Sequence, residues 1–117
     1  MLNRKSQPII QEFKKFTIIP PEQITLPNGI VMNVLNSGDN EVVRIDFLIV
    51  GGRWNQTHPL QALFTNRMLR EGTKKYTASQ IAEKLDYYGA WLELSIASEH
   101  AYITLYSLNK YLPQTLD

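Results

Sequence analysis

No cysteine occurs among the 117 residues, which excludes disulfides, thiolate metal sites and a cysteine nucleophile. A surplus of charge of either sign is missing too. Twelve basic residues face eleven acidic ones, for a formal net charge of +1. That balance offers no electrostatic reason to expect nucleic acid or an anionic membrane as partner. Long hydrophobic runs are also lacking. The longest uncharged apolar run, Phe47-Leu48-Ile49-Val50, is strand-length, against the ~20 apolar residues that a membrane helix needs. The opening stretch MLNRKSQPIIQEFKKFTIIP has no unbroken apolar core and no small-residue cleavage site, so no secretory signal is expected. What is present is 44% hydrophobic and 20% charged residues, the composition of a soluble globular chain rather than a disordered one. The length suits one modest core.

Residues 1–21 read as an extended arm ending at Pro20-Pro21, which forbids helix there. Gln23–Leu26 and Ile30–Leu35 then flank Pro27-Asn28-Gly29, a turn whose Asn-Gly pair tolerates positive φ. Asn36–Asn40 is a second turn of the same residue types. Val42–Val50 reads as a longer strand, central because it is nearly all apolar, and Gly51-Gly52 ends it. Leu60–Glu71 reads as a helix stopped by Gly72. In YTASQIAEKLDYYG, Thr77 and Gln80 form a capping-box pattern and Gly89 closes the helix. Its buried stripe is Ile81, Leu85 and Tyr88, with Ala82 beside them. Ala90–Ser98 and Ala101–Leu108 alternate as an antiparallel pair around Glu99-His100. Asn109–Asp117 resembles a helix start with Pro113 in its first turn. The order predicts an α+β fold, an antiparallel sheet with helices packed on one face. A chain that stops inside an element reads as a fragment, and its truncated sheet exposes an edge that favours self-association.

Few residues stand out for chemistry. His58 and His100 are isolated imidazoles without a spaced carboxylate and read as surface histidines. Gly51-Gly52 lacks the Lys-Ser/Thr of a phosphate loop. Trp54, Tyr87, Tyr88 and Trp91 read as packing residues rather than a ligand box. Lys14-Lys15 and Lys74-Lys75 read as solvated surface.

Several segments, in order, carry a resemblance: LPNGIVMNVL (Leu26–Leu35), VVRIDFLIVGGRWNQ (Val42–Gln56), MLREGTKKYTASQIAEKLDYYGAWL (Met68–Leu92) and YSLNKYLPQTLD (Tyr106–Asp117). Together they are similar to the insulinase/pitrilysin-type zinc metallopeptidases, which include mitochondrial processing peptidase and the core proteins of respiratory complex III. The resemblance covers residues 22–117 and implies one peptidase-homologue domain, truncated at its C-terminal side. Active members carry H-x-x-E-H on the first helix. Histidines at i and i+4 share a helix face and ligate one Zn²⁺, while the glutamate acts as general base. In the family's register these positions are Leu63, Asn66 and Arg67. Leucine has no donor atom, asparagine is a poor base, and arginine stays protonated and repels a divalent cation. An unrelated core helix is the competing reading of this stretch. For Arg67, an i,i+4 ion pair with Glu71 competes with a binding role.

The resemblance implies a non-catalytic homologue, with no catalytic, cofactor-binding or metal residue of its own. Zinc is expected only in a catalytic paralogue. Such a chain would act as structural and peptide-binding subunit of a chamber-forming peptidase complex, with the paralogous subunit and a substrate peptide as partners. In two-subunit bacterial members the silent chain supplies an arginine–tyrosine pair from a second half, which falls beyond Asp117. Similarity to bacterial members implies the cytoplasm. The alternatives are a divergent zinc-dependent metalloendopeptidase completed elsewhere in a longer chain, and a scaffold that works without any peptidase.

Overall fold

The computed structural model describes Gln7, Ile9, Ile10, Glu12 and residues 15–117, so much of the arm expected over 1–21, including Lys14, lies outside the described residues. The described chain divides into two units, one up to Asp39 and one from Asn40 onward.

The first unit holds a hairpin of β1 (Glu22–Thr25) and β2 (Val31–Val34), with Glu22 opposite Val34 and Thr25 opposite Val31. Its turn forms where Asn-Gly stands. The Leu26 N–H donates to the Ile30 carbonyl at 2.8 Å, Asn28 Oδ1 accepts from the Ile30 N–H, and Gly29 takes φ +84°.

The second unit is built on β3 (Val42–Val50), β4 (Trp91–Ile96) and β5 (His100–Leu108), an antiparallel sheet in the order β3-β5-β4. β3 therefore lies at an edge, not at the centre as its apolar run led us to expect. The centre is β5, whose Ala101, Thr104, Leu105 and Ser107 are buried. An apolar run marks a strand for burial without saying what buries it. Among the described residues, Phe47, Leu48, Ile49 and Val50 of β3 stay exposed.

Among the described residues three α-helices accompany this sheet, two between β3 and β4 and one after β5. α1 (Gln61–Arg67) is shorter than the expected Leu60–Glu71, because Met68–Arg70 tightens into a 3-10 turn. Leu60 sits before it at φ +66°. α2 (Ala78–Tyr88) has the full capping box: Thr77 Oγ1 accepts from the Gln80 N–H, and Gln80 Oε1 from the Thr77 N–H at 2.9 Å. Gly89 closes it at φ +63°. Ile81, Leu85 and Tyr88 are half-buried as expected, whereas Ala82 is exposed and Lys84 takes the place beside the stripe. α3 (Leu112–Leu116) carries Pro113 in its first turn. Between α1 and α2, Gly72-Thr73 makes a tight connection in which the Thr73 N–H donates to the Tyr76 carbonyl and Thr73 Oγ1 accepts from the Lys75 and Tyr76 N–H groups.

The helices meet the sheet face that carries Ile49, Ala101 and Ser107. α3 reaches it through Thr115 Oγ1, which donates to Ser107 Oγ at 3.0 Å. α1 shares a cleft with Ile49 and Ala101. α2 leans on the start of α3, with the Tyr88 and Tyr111 rings 5.5 Å apart. The fold is thus α+β, antiparallel sheets with helices on one face of the larger.

Candidate functional site

Of the two glycines that follow β3, Gly52 decides how the chain is handed to α1. The Gly52 N–H donates to the Glu99 carbonyl at 2.9 Å, and a Cβ on Gly52 would stand 2.5 Å from backbone atoms of Ser98, Glu99 and His100. No side chain fits that approach. Gly51, by contrast, has open space around its Cα. The crossing sets α1 above the β4–β5 hairpin.

Asn66 then becomes the anchor of α1. It is only 4% exposed, and its Nδ2 donates to the Ser95 carbonyl at 2.7 Å and to the Tyr102 carbonyl at 3.4 Å. Ser95 and Tyr102 are paired residues of β4 and β5, so one amide clamps the helix over their ladder. Two carbonyl partners require the NH₂ group on that side. The Asn66 Oδ1 is left buried without a protein partner. Beside it lies a cleft of about 290 Å³, whose polar lining comes from Asn55, Gln56, Gln61 and Thr65.

The neighbouring motif positions differ from Asn66 in burial. Leu63 is half-buried and Arg67 is exposed. The expected Arg67–Glu71 ion pair does not form among the described residues, because the 3-10 turn at Met68 breaks the helical i,i+4 spacing. Leu63, Asn66 and Arg67 together offer a divalent cation one neutral oxygen and a fixed positive charge, which is no donor set for zinc. Among the described residues no group of three His, Asp or Glu side chains could hold a metal ion. His58 is exposed, and His100 opens β5 rather than standing in the turn, half-buried with its ring 6.3 Å from that of Tyr102. Tyr88 packs, but Trp54, Tyr87 and Trp91 are largely exposed, against the packing role expected of them.

A second polar group lies on the opposite face of the sheet. Thr104 Oγ1 donates to Asp46 Oδ1 at 2.7 Å, and Arg44 Nε stands 2.9 Å from Asp46 Oδ2. These bonds hold the Asp46 carboxyl below its ordinary range, the Thr104 hydroxyl having the largest effect and Arg44 adding to it. The same pairing with Asp46 raises Arg44, whose guanidinium also lies 5.5 Å from the Tyr106 ring centroid. Glu93 and Ser95 complete a shallow cleft of about 240 Å³. The alternation Arg44-Ile45-Asp46 already places both charges on one strand face. Their meeting with Thr104 depends on the β3–β5 register, which the strand alone does not contain.

Neither a family model nor a curated protein matches the sequence. Among solved structures, the chain is similar to one described as the peptidase M16 inactive domain from Pseudomonas fluorescens. The TM-score is 0.74 at 20% identity, over 82% of this chain and 24% of the other. The likeness establishes the fold, and this chain spans about a quarter of that protein's length.

Proposed function

We propose that residues 22–117 are the N-terminal part of a non-catalytic homologue of the insulinase/pitrilysin-type zinc peptidases. It serves as a structural and peptide-binding subunit beside a zinc-bearing paralogue that encloses a chamber with it, in the cytoplasm. The fold shared with a domain described as inactive supports this reading. The observation that carries it is Asn66. At the position where an active member needs a water-exposed base, this chain has a buried amide committed to the Ser95 and Tyr102 carbonyls. A side chain used as a clamp cannot also poise a water for attack. The cleft next to Asn66 is mostly apolar, and Asn55, Gln56, Gln61 and Thr65 add carboxamide and hydroxyl groups that suit the N–H and C=O groups of an extended peptide.

The test is zinc content and cleavage. The purified chain is expected to hold substoichiometric zinc by elemental analysis and to leave a quenched peptide uncut. Addition of an H-x-x-E-H-bearing paralogue is expected to produce chelator-sensitive cleavage above the paralogue's own rate. Stoichiometric zinc with chelator-sensitive cleavage by this chain alone would identify a divergent metallopeptidase instead. No gain in rate and no complex with the paralogue would leave a scaffold unrelated to peptidase work.

A further inference from the structure

Of the eight asparagines in the sequence, Asn28 alone precedes a glycine. With no Cβ on residue 29, no side chain shields the Gly29 nitrogen from the side-chain carbonyl carbon of Asn28. That nitrogen and Asn28 Cγ end a chain of five bonded atoms, so a bond between them closes a five-membered imide. The folded β1–β2 turn engages both groups. The Gly29 N–H donates to the Leu26 carbonyl at 2.9 Å, and Asn28 Oδ1 accepts from the Ile30 N–H at 3.1 Å. The ladder from Glu22–Val34 to Thr25–Val31 holds the turn shut.

We infer that Asn28 is a site of spontaneous deamidation whose rate is set by opening of the β1–β2 hairpin. The Gly29 nitrogen gives its proton to hydroxide, attacks Asn28 Cγ and expels the side-chain amino group. That group takes a proton from water and leaves as ammonia, which restores the hydroxide. The succinimide then takes up one water. Hydrolysis at Cγ gives aspartate, and hydrolysis at the main-chain carbonyl gives isoaspartate, joined to Gly29 through its side chain. The sum is one water consumed and one ammonia released, with no oxidant or reductant. The proton that must leave Gly29 is the one donated to Leu26, so the imide cannot close with the turn bond intact. Local opening frees it, without global unfolding. Aspartate keeps an oxygen for the Ile30 N–H. Isoaspartate puts one more atom into the main chain between Leu26 and Ile30, whose closing bond is 2.8 Å. Either product adds a carboxylate and takes the formal net charge from +1 to zero. The reaction is thus a one-way release of the hairpin, and it requires nothing of the peptidase reading.

The experiment is peptide mapping by mass spectrometry of the full 117-residue chain after incubation in heavy-oxygen water at mildly alkaline pH. Label in the new carboxyl marks conversion during the incubation. Asn28 is expected to convert faster than each of the other seven asparagines, to a mixture of aspartate and isoaspartate. In denaturant its rate should rise about 10-fold or more, the factor that ~1.4 kcal/mol of local closing energy sets. Met32→Gly weakens the ladder opposite Ile24 and leaves the turn residues in place. It should speed conversion in buffer about 5-fold, the factor for ~1 kcal/mol. The isoaspartate form, separated by chromatography, should lose amide-exchange protection in β1 and β2 while β3, β4 and β5 keep theirs. Faster conversion of another asparagine in buffer, or equal rates for Asn28 in buffer and denaturant, would overturn the inference. So would an unchanged rate in Met32→Gly, or an isoaspartate form whose hairpin stays protected.

Discussion

Gly52 and Asn66 carry the placement of α1 between them. A methyl group at Gly52 would meet backbone at 2.5 Å, and backbone cannot swing aside as a side chain can. Gly52→Ala is therefore expected to lower stability by ~1–3 kcal/mol, while Gly51→Ala, with nothing near, should be within ~0.5 kcal/mol of the parent in urea unfolding. Asn66→Ala removes both bonds to the sheet and relieves the orphaned Oδ1, so the net loss is expected to be modest, ~1–2 kcal/mol by the same measurement. Asp46 gives the pH dependence. Its carboxyl is held below the ordinary range by Thr104 and then Arg44, so its stabilising contribution is complete above that range. The contribution is lost as pH falls through the lowered folded-state value. The stability gap between wild type and Asp46→Asn should accordingly narrow below about pH 4 in acid titrations of unfolding, by a small amount because the site is partly open to solvent.

Among the elements, α2 and α1 contrast in how they begin. α2 has a reciprocal cap, so Thr77→Ala should cost ~1 kcal/mol and fray its first turn in amide exchange. α1 begins after Leu60 in the left-handed region, with no side-chain cap, a conformation that burdens a branched side chain. Leu60 is exposed, so little packing is lost on replacing it. Leu60→Gly is expected to be neutral or stabilising by up to ~1 kcal/mol, read as a shift in the urea midpoint at unchanged slope. These local facts explain why α2 was legible in the sequence to the residue and α1 was not. A capping box and a terminal glycine are encoded in neighbouring residues. The early end of α1 follows from a 3-10 turn before Gly72 that no residue between Met68 and Glu71 announces.

At the scale of the whole described molecule the core is small. Among the described residues the buried apolar side chains are Ala62, Ala90, Ala101 and Leu105, and only the last is large. Leu105→Ala in central β5 should therefore remove ~2–5 kcal/mol, enough to abolish a cooperative thermal transition in a marginal fold. Exposed apolar residues such as Phe47, Phe64 and Met68 should bind a hydrophobic dye already in the native state. No helix among the described residues is long and apolar enough to cross a membrane.

Composition, periodicity and punctuation were enough to set the strand over Val42–Val50, the cap at Thr77, the turn at Asn28-Gly29 and the α+β order, because each depends on neighbours along the chain. Leu63, Asn66 and Arg67 were singled out by the family resemblance alone, and their side-chain types offer a zinc ion little to bind. Which strand lies at the edge, that Asn66 is a buried clamp, that Arg67 has no partner in Glu71, and that Asp46 meets Thr104 were decided only in three dimensions. Each depends on a register or a close approach between residues far apart in sequence, and such contacts have energies that no single segment contains.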